Sequence, residues 1–171
     1  MTEIARTDRL VLREVEDSDF QNLLEMFNDA EVMKFYRMLR DEKMTKLWIE
    51  FSKDNYRRLG HSKWIIERAD NGEFVGYCGL LVYPVDGKPE IELGYMLKRS
   101  AWGQGYATEA ASACLSLARA KFGYARVVSV IDTENATARR VAERIGMKFE
   151  RDYVEDSIAR VIYSVRLSSS N

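Results

Sequence analysis

The segment Trp102–Ala110, with sequence WGQGYATEA, limits the possible folds and functions of this chain more than any other segment does. It follows an apolar, strand-like run at Ile91–Leu97 and precedes a stretch of small residues that is typical of a helix. Gly103, Gly105 and Ala107 leave little side-chain bulk along the turn. Because the first amides of a helix lack partners and lie at the positive end of its dipole, they bind anions. The segment therefore predicts a strand, a turn that binds a phosphate-bearing cofactor, and a helix.

Composition and charge narrow the classes of function. With 171 residues, 46% of them hydrophobic and 31% charged, we expect one domain spanning residues 1–171. The formal net charge of −1 gives no general attraction for nucleic acid or for an anionic membrane. No apolar run approaches the roughly eighteen residues that cross a bilayer, and the first residues lack the apolar stretch of a secretory signal. We therefore expect a cytoplasmic protein with no nucleic-acid or membrane partner.

Residue usage argues against a metal site and against two other classes of enzyme. Cys78 and Cys114 lie far apart among apolar neighbours, which predicts reduced core thiols. A Ser-His-Asp hydrolase would depend on His61, the only histidine, and the sequence has no Gly-x-Ser-x-Gly elbow. The glycine turn is not a dinucleotide fingerprint, because Thr108 stands where the third glycine is required. It is not a Walker loop either, since no Gly-Lys-Ser/Thr follows.

Hydrophobic periodicity predicts an α/β fold built on a mixed sheet of about seven strands with helices on both faces. The predicted strands are Arg9–Arg13, Lys63–Ala69, Phe74–Tyr83, Glu90–Leu97, Val127–Ile131, Met147–Glu155 and Ala159–Leu167. The predicted helices begin at Phe20, at about Glu31 (to Arg58, interrupted near Arg40–Glu42), at Ala107 and at Asn135. Tight turns such as Asn71-Gly72 make the middle of the sheet antiparallel. The helical crossover after Gln104 makes the strands on either side of it parallel.

Four segments, in order, resemble those of the GCN5-related N-acetyltransferases (GNAT), and more narrowly the branch that acetylates ribosomal-protein N-termini. They are Thr7–Arg13, Leu93–Leu97, Trp102–Ala110 and Asn135–Met147. The resemblance covers nearly the whole chain. It implies the GNAT fold, in which two parallel strands of the sheet splay apart, and acetyl-CoA as the cosubstrate. The pyrophosphate of that molecule agrees with an anion-binding turn.

The resemblance also implies which residues bind the cofactor. They are Met96, Leu97, Trp102, Gly103, Gln104, Gly105, Tyr106, Ala107, Thr108, Asn135 and Arg139. Backbone groups of Met96 and Leu97 are expected to hold the pantetheine arm and to polarise the thioester carbonyl, between strands that end at Leu97 and Asp132. Asn135 either binds this arm or only caps a helix. Arg139, ahead of Arg140, either meets the ribose phosphate or is a solvated surface arginine.

Glu92 is the expected general base, because relatives place a glutamate on this strand. The acceptor amine must lose a proton, since the ordinary pKa is about 8 for an N-terminal amine and about 10.4 for lysine. Strand alternation divides the segment into two faces, with Glu90, Glu92, Gly94 and Met96 on one and Ile91, Leu93 and Tyr95 on the other. A solvated or ion-paired Glu92 is the alternative, and Asp132 is a second candidate base.

The general acid and the acceptor site are less well defined. The related branch has a serine where this chain has Ala138, so water is left to protonate the departing thiolate. Tyr95 and Tyr106 are expected to pack, with polar tips. Phe35, Tyr36 and Arg37 lie where the acceptor site of the family lies, and either wall that site or pack in the core.

The sequence therefore predicts an N-acetyltransferase that acts by direct attack of a primary amine in a ternary complex, because no nucleophilic cysteine stands out. The acceptor is a protein N-terminus or a small-molecule amine. The alternative is a coenzyme A-binding regulatory module without turnover, which the missing hydroxyl at Ala138 favours. Dimers are common among the relatives, so a homodimer is allowed.

Overall fold

An eight-stranded sheet forms the centre of the computed structural model, which describes residues 1–37 and 40–168. The strands are β1 Glu3–Arg6, β2 Leu10–Arg13, β3 Lys63–Arg68, β4 Phe74–Val85, β5 Lys88–Leu97, β6 Arg126–Asp132, β7 Lys148–Glu155 and β8 Ile158–Arg166. The helices are α1 Phe20–Phe27, α2 Glu42–Leu59, α3 Tyr106–Ala120 and α4 Ala136–Arg144. The strand order across the sheet is β1-β2-β3-β4-β5-β6-β8-β7.

The predicted α/β fold with a mixed sheet is confirmed, with one strand more than expected. All seven predicted strands are present, and the additional strand, β1, pairs antiparallel with β2. Its sequence, Glu-Ile-Ala-Arg, has two adjacent apolar residues between two charged ones and therefore no alternation, which is why periodicity misses it.

The prediction of helix from Glu31 is wrong, because the chain forms turns over residues 30–36. The Asp29 carboxylate accepts hydrogen bonds from the amides of Glu31 and Val32, at 3.0 and 3.4 Å, and so stabilises a turn instead of a continued helix. The long helix begins only at Glu42, where Asp41 accepts a capping hydrogen bond from the Met44 amide at 2.8 Å. Part of the predicted helical region, residues 38 and 39, lies outside the described residues.

The two parallel strands separate early, as expected for a splayed pair. β5 and β6 have one registered pair, Glu92 with Val128, although the strands continue to Leu97 and Asp132. The Ser129 hydroxyl donates to the Leu93 carbonyl at 2.7 Å, just beyond this pair. A gap therefore opens between the carboxyl-terminal halves of the two strands.

The helices cover opposite faces of the sheet. On the α3 face, α3 and α4 bury apolar residues of the sheet that include Leu93 and the partly buried Tyr95. On the α1 face, α1 and α2 pack against Ile65, Tyr77 and Met96. The predicted division of β5 into two faces is thus confirmed. In the described part of the chain, no helix combines the length and apolar character that crossing a bilayer requires.

Candidate active site

The gap between β5 and β6 opens into a cleft of about 690 Å³. Its walls are the end of β5, the turn before α3, the start of α4 and the turns after α1. The predicted residues that line it are Met96, Leu97, Trp102, Gly103, Gly105, Tyr106, Ala107, Thr108 and Asn135. Gln104, Arg139 and Glu92 are not among its lining residues. The fold therefore brings most of the predicted cofactor residues together from three separate segments.

The glycine turn presents unpaired backbone donors to the cleft. Gly103 and Gly105 have φ of +75° and +80°, a conformation that side-chain-bearing residues rarely adopt. Within residues 1–37 and 40–168, no group accepts a hydrogen bond from the amides of residues 103–108. The hydroxyl of Thr108 is buried and also lacks a partner there. Because these donors lie at the start of the 15-residue helix α3, they form a site suited to an anion.

Arg9, at the start of the chain, holds this turn in place. Its guanidinium donates to the Gln104 carbonyl and to the Glu109 carboxylate at 2.8 and 2.7 Å, and lies 4.7 Å from the centre of the Tyr106 ring. Thr7 also donates to Glu109, at 2.5 Å. Partial burial raises the pKa of Glu109, but these hydrogen bonds outweigh burial and hold the pKa below its ordinary value. Glu109 therefore stays ionised, and its hydrogen bonds with Thr7 and Arg9 connect α3 to the segment that precedes β2.

The backbone at the end of β5 offers one donor to the gap. The Lys98 amide donates to the Val75 carbonyl of β4 at 2.9 Å. Ladder alternation then directs the backbone groups of Met96 towards β4 and those of Leu97 towards β6. The Leu97 carbonyl accepts from the Trp102 indole at 3.1 Å. The Leu97 amide is thus directed into the gap, whereas the backbone groups of Met96, which were also expected to bind there, point towards β4.

The start of α4 supplies polar groups on the other side of the gap. The Asn135 side-chain oxygen caps α4 by accepting from the Ala138 amide at 3.1 Å. The cap expected as an alternative is therefore present, and the side-chain NH₂ of Asn135 has no partner among the described residues. The Tyr95 hydroxyl donates to the Ala138 carbonyl at 2.6 Å, and burial raises the pKa of this hydroxyl. Ala138 has no side-chain hydroxyl of its own, but the Tyr95 hydroxyl thus lies next to its backbone.

The structure does not place Arg139 at the cleft. Its guanidinium donates to the Thr133 carbonyl at 3.1 Å and to the Tyr163 hydroxyl at 3.3 Å, away from the gap. Arg140 and Arg144 line the cleft instead. One residue along a helix turns the side chain by about 100°, so an error of one position in the helix phase exchanges the two arginines. The fold thus places Arg140, and not the preferred Arg139, beside the cleft.

Glu92 lies on the α1 face, beside the gap, and is paired with a cation. Its carboxylate accepts from the Lys63 ammonium at 3.0 Å, and the exposed fractions of the two side chains are 13% and 8%. Lys63 also donates to the Gly79 carbonyl at 3.3 Å. A Cβ at Gly94 would lie 2.9 Å from one carboxylate oxygen of Glu92, so glycine makes room for the pair. The ion-paired alternative is therefore what the structure has, and Lys63 is a neighbour that the sequence reading missed.

The turns after α1 close one side of the cleft. Phe35 and Tyr36 line it, as the family resemblance led us to expect. Arg37 reaches the buried carboxylate of Asp132 at 3.5 Å, while the other oxygen of Asp132 accepts from the Glu134 amide at 2.9 Å. Both oxygens of Asp132 have partners, whereas one oxygen of Glu92 has none within residues 1–37 and 40–168, so Asp132 is less available as a base.

Comparisons with known proteins agree with this geometry. The sequence profile of the acetyltransferase (GNAT) domain matches residues 9–148. The Bacillus subtilis (strain 168) protein YkkB, described as uncharacterized, is 39% identical over 146 residues, which cover 85% of each chain. The structure of an acetyltransferase from Agrobacterium tumefaciens C58 has a TM-score of 0.84 at 26% identity, covering 96% of this chain and 94% of that one.

A second solved structure shares the fold at lower identity. It is RimL, described as the ribosomal L7/L12 α-N-protein acetyltransferase, in complex with coenzyme A. Its TM-score is 0.80 at 17% identity, covering 98% of this chain and 99% of that one. Since the GNAT profile spans most of the sequence, including the glycine turn, the chain belongs to the GNAT acetyltransferase family.

Proposed function

We propose that the protein transfers an acetyl group from acetyl-CoA to a primary amine by direct attack. The observation that carries this proposal is the row of unpaired amides at residues 103–108, held by Arg9 at the mouth of the cleft. Family membership and the coenzyme A complex of RimL support the identity of the anion.

The residues that line the cleft fit the parts of acetyl-CoA. The free amides of the turn and the partnerless hydroxyl of Thr108 hold the pyrophosphate. Arg140 and Arg144 provide cations for the ribose phosphate. The NH₂ group of Asn135 binds the pantetheine arm, and the Leu97 amide polarises the acetyl carbonyl. When bound, the cosubstrate supplies an acyl group activated as a thioester.

Glu92 handles the proton of the acceptor. Its free oxygen takes the proton that the amine loses, directly or through water, while Lys63 remains hydrogen-bonded to the other oxygen. Lys63 thereby orients the carboxylate and offsets its charge. The amine nitrogen bonds to the acetyl carbon, the carbon–sulfur bond breaks, and water protonates the thiolate, whose ordinary pKa is about 8.5.

The proposal is tested by thiol release from acetyl-CoA with a panel of peptides and small amines, together with calorimetry of coenzyme A binding. We expect Glu92→Gln to lose rate at neutral pH and to keep its affinity for coenzyme A. Glu90→Gln is the matched control, because Glu90 lies on the same strand and face and pairs with Arg126 instead. Binding without turnover for every amine would favour the regulatory module, and absence of both binding and turnover would remove the proposal.

A further inference from the structure

The Ser129 hydroxyl of β6 bonds to β5 at the point where the ladder between these strands ends. It donates to the Leu93 carbonyl at 2.7 Å, and Ser129 is 1% exposed. Its other polar contact is the Met147 sulfur at 3.6 Å, which is a weak acceptor. A hydroxyl has one proton to donate, so this proton goes to Leu93. Ser129 is therefore buried and held to the neighbouring strand by one strong hydrogen bond.

The Leu93 carbonyl is the acceptor that a continued ladder would use. Alternation along β5 directs the backbone groups of Leu93 towards β6, because those of Met96 are directed towards β4. Beyond the registered pair of Glu92 with Val128, the next parallel ladder bond to this carbonyl would come from the Val130 amide. The hydroxyl of the neighbouring serine occupies this acceptor, and the registered pairing ends at the same place.

A second side-chain hydroxyl spans the gap closer to the cleft. The Tyr95 hydroxyl of β5 donates to the Ala138 carbonyl of α4 at 2.6 Å. Tyr95 lies on the α3 face, and so does Ser129, because it alternates with Val128 of the α1 face. Two side-chain hydrogen bonds on one face therefore connect β5 to the other half of the molecule, along the stretch of β5 that leads to the Leu97 amide.

We infer that Ser129 is a positioning residue, which fixes where β5 and β6 separate and so keeps the gap open for the pantetheine arm of acetyl-CoA. This inference rests on the proposed function. Without the hydroxyl, the Leu93 carbonyl would be a buried acceptor that needs a new partner. The register offers the Val130 amide, so the ladder would extend by one bond and the gap would narrow at its base. The arm would then have to break this bond when it binds.

Calorimetry with two ligands separates the arm from the rest of the cofactor. Adenosine 3′-phosphate 5′-diphosphate is coenzyme A without its pantetheine arm. We expect Ser129→Ala to raise the Kd for coenzyme A by about twofold to tenfold, as the loss of one backbone hydrogen bond on binding requires. The Kd for the nucleotide without the arm should stay unchanged. A purely structural role of Ser129 would shift both Kd values or neither.

Two control variants separate the hydroxyl from its surroundings. Ser129→Thr keeps the hydroxyl, and Ser164→Ala removes one from β8, where Ser164 lies opposite Val128 and donates to Glu150 at 3.3 Å. We expect both variants to bind coenzyme A with the wild-type Kd. If the additional methyl group of threonine prevents folding, Ser129→Cys keeps the volume with a weaker donor and gives an intermediate Kd.

Amide hydrogen exchange reports the additional ladder bond without a ligand. In free Ser129→Ala we expect the Val130 amide to exchange about twofold to tenfold more slowly, relative to the Ile131 amide, than in the wild-type protein. Ile131 is the reference because alternation directs its backbone groups towards β8, so the ratio corrects for a general change in stability. An unchanged ratio overturns the inference, and so does a Kd for coenzyme A that rises no more than that for the nucleotide.

Failure of the proposed function gives a different result. In that case the wild-type protein does not bind coenzyme A and releases no thiol with any amine. Slower exchange of the Val130 amide in Ser129→Ala then still supports Ser129 as the residue that separates the strands, and an unchanged ratio excludes it.

Discussion

Arg9→Met is predicted to weaken coenzyme A binding, although Arg9 is not among the residues that line the cleft. The variant keeps an apolar side chain over Tyr106 and removes the hydrogen bonds to Gln104 and Glu109, at 2.8 and 2.7 Å. The turn at residues 103–105 then loses its hydrogen bond to the residue that precedes β2. In the variant, the ligand must impose the positive φ at both glycines, because the free protein no longer holds the turn in that conformation. This ordering reduces the binding affinity.

The size of the effect follows from the exposure of Arg9. A hydrogen bond to a charged group contributes about 1.5–3 kcal/mol when buried. The Arg9 side chain is 48% exposed, so solvent screening reduces each of the two bonds to about 0.5–1 kcal/mol. We expect the free energy of unfolding to fall by about 1–2 kcal/mol. If most of that free energy is needed to order the turn, the Kd for coenzyme A rises about tenfold.

Calorimetry with coenzyme A and urea denaturation measure the two effects separately. Arg6→Met is the matched control, because Arg6 is exposed to a similar extent (53%) and pairs with a local glutamate, Glu3, at 2.8 Å. We expect it to change neither quantity measurably. An unchanged Kd in Arg9→Met together with reduced stability would refute the reasoning, and so would an equal rise of Kd in Arg6→Met.

Three further predictions follow from the same structure. Gly94→Ala displaces the Lys63–Glu92 pair, so we expect kcat/KM to fall strongly and the free energy of unfolding to decrease by about 1–3 kcal/mol, as thiol release and urea denaturation will show. Burial lowers the pKa of His61 below its ordinary value, so the unfolded chain binds this proton more readily and stability falls as the pH drops below about 6.5; chemical denaturation between pH 7.5 and 5.5 should show a slope that His61→Gln loses. Tyr95→Phe removes the hydrogen bond to a carbonyl of α4 and should cost about 1 kcal/mol in urea denaturation, while a much larger loss of kcat than of stability would mean that this hydroxyl also takes part in proton transfer.

The glycine turn before α3 and the order of elements could be predicted from the sequence because their signals are local. Glycines at 103 and 105, the small residues of α3 and the Asn71-Gly72 hairpin each specify backbone conformation within a few residues. The prediction of a helix from Glu31 was wrong, although its cause is also local. The Asp29 side chain competes with the helical hydrogen bonds, and hydrophobic periodicity does not report that competition.

The partners of Glu92 could not be predicted in the same way. Lys63 lies 29 positions away, and the two residues meet only because β3 and β5 both pair with β4 in particular registers. The choice between Arg139 and its neighbour Arg140 depended on which side of α4 faces the cleft, and tertiary packing that the sequence does not report decides this.

The single registered pair between β5 and β6 has a thermodynamic consequence. The assemblies β1–β5 and β6–β8 are joined along a seam that lacks most of its ladder, and the cleft lies in that seam. A ligand that binds there raises the free energy of unfolding of the whole molecule. The rise is about 2.7 kcal/mol when the free ligand concentration is a hundred times its Kd. Denaturation of the free chain will therefore give a lower stability than denaturation of the chain with a ligand bound in this cleft.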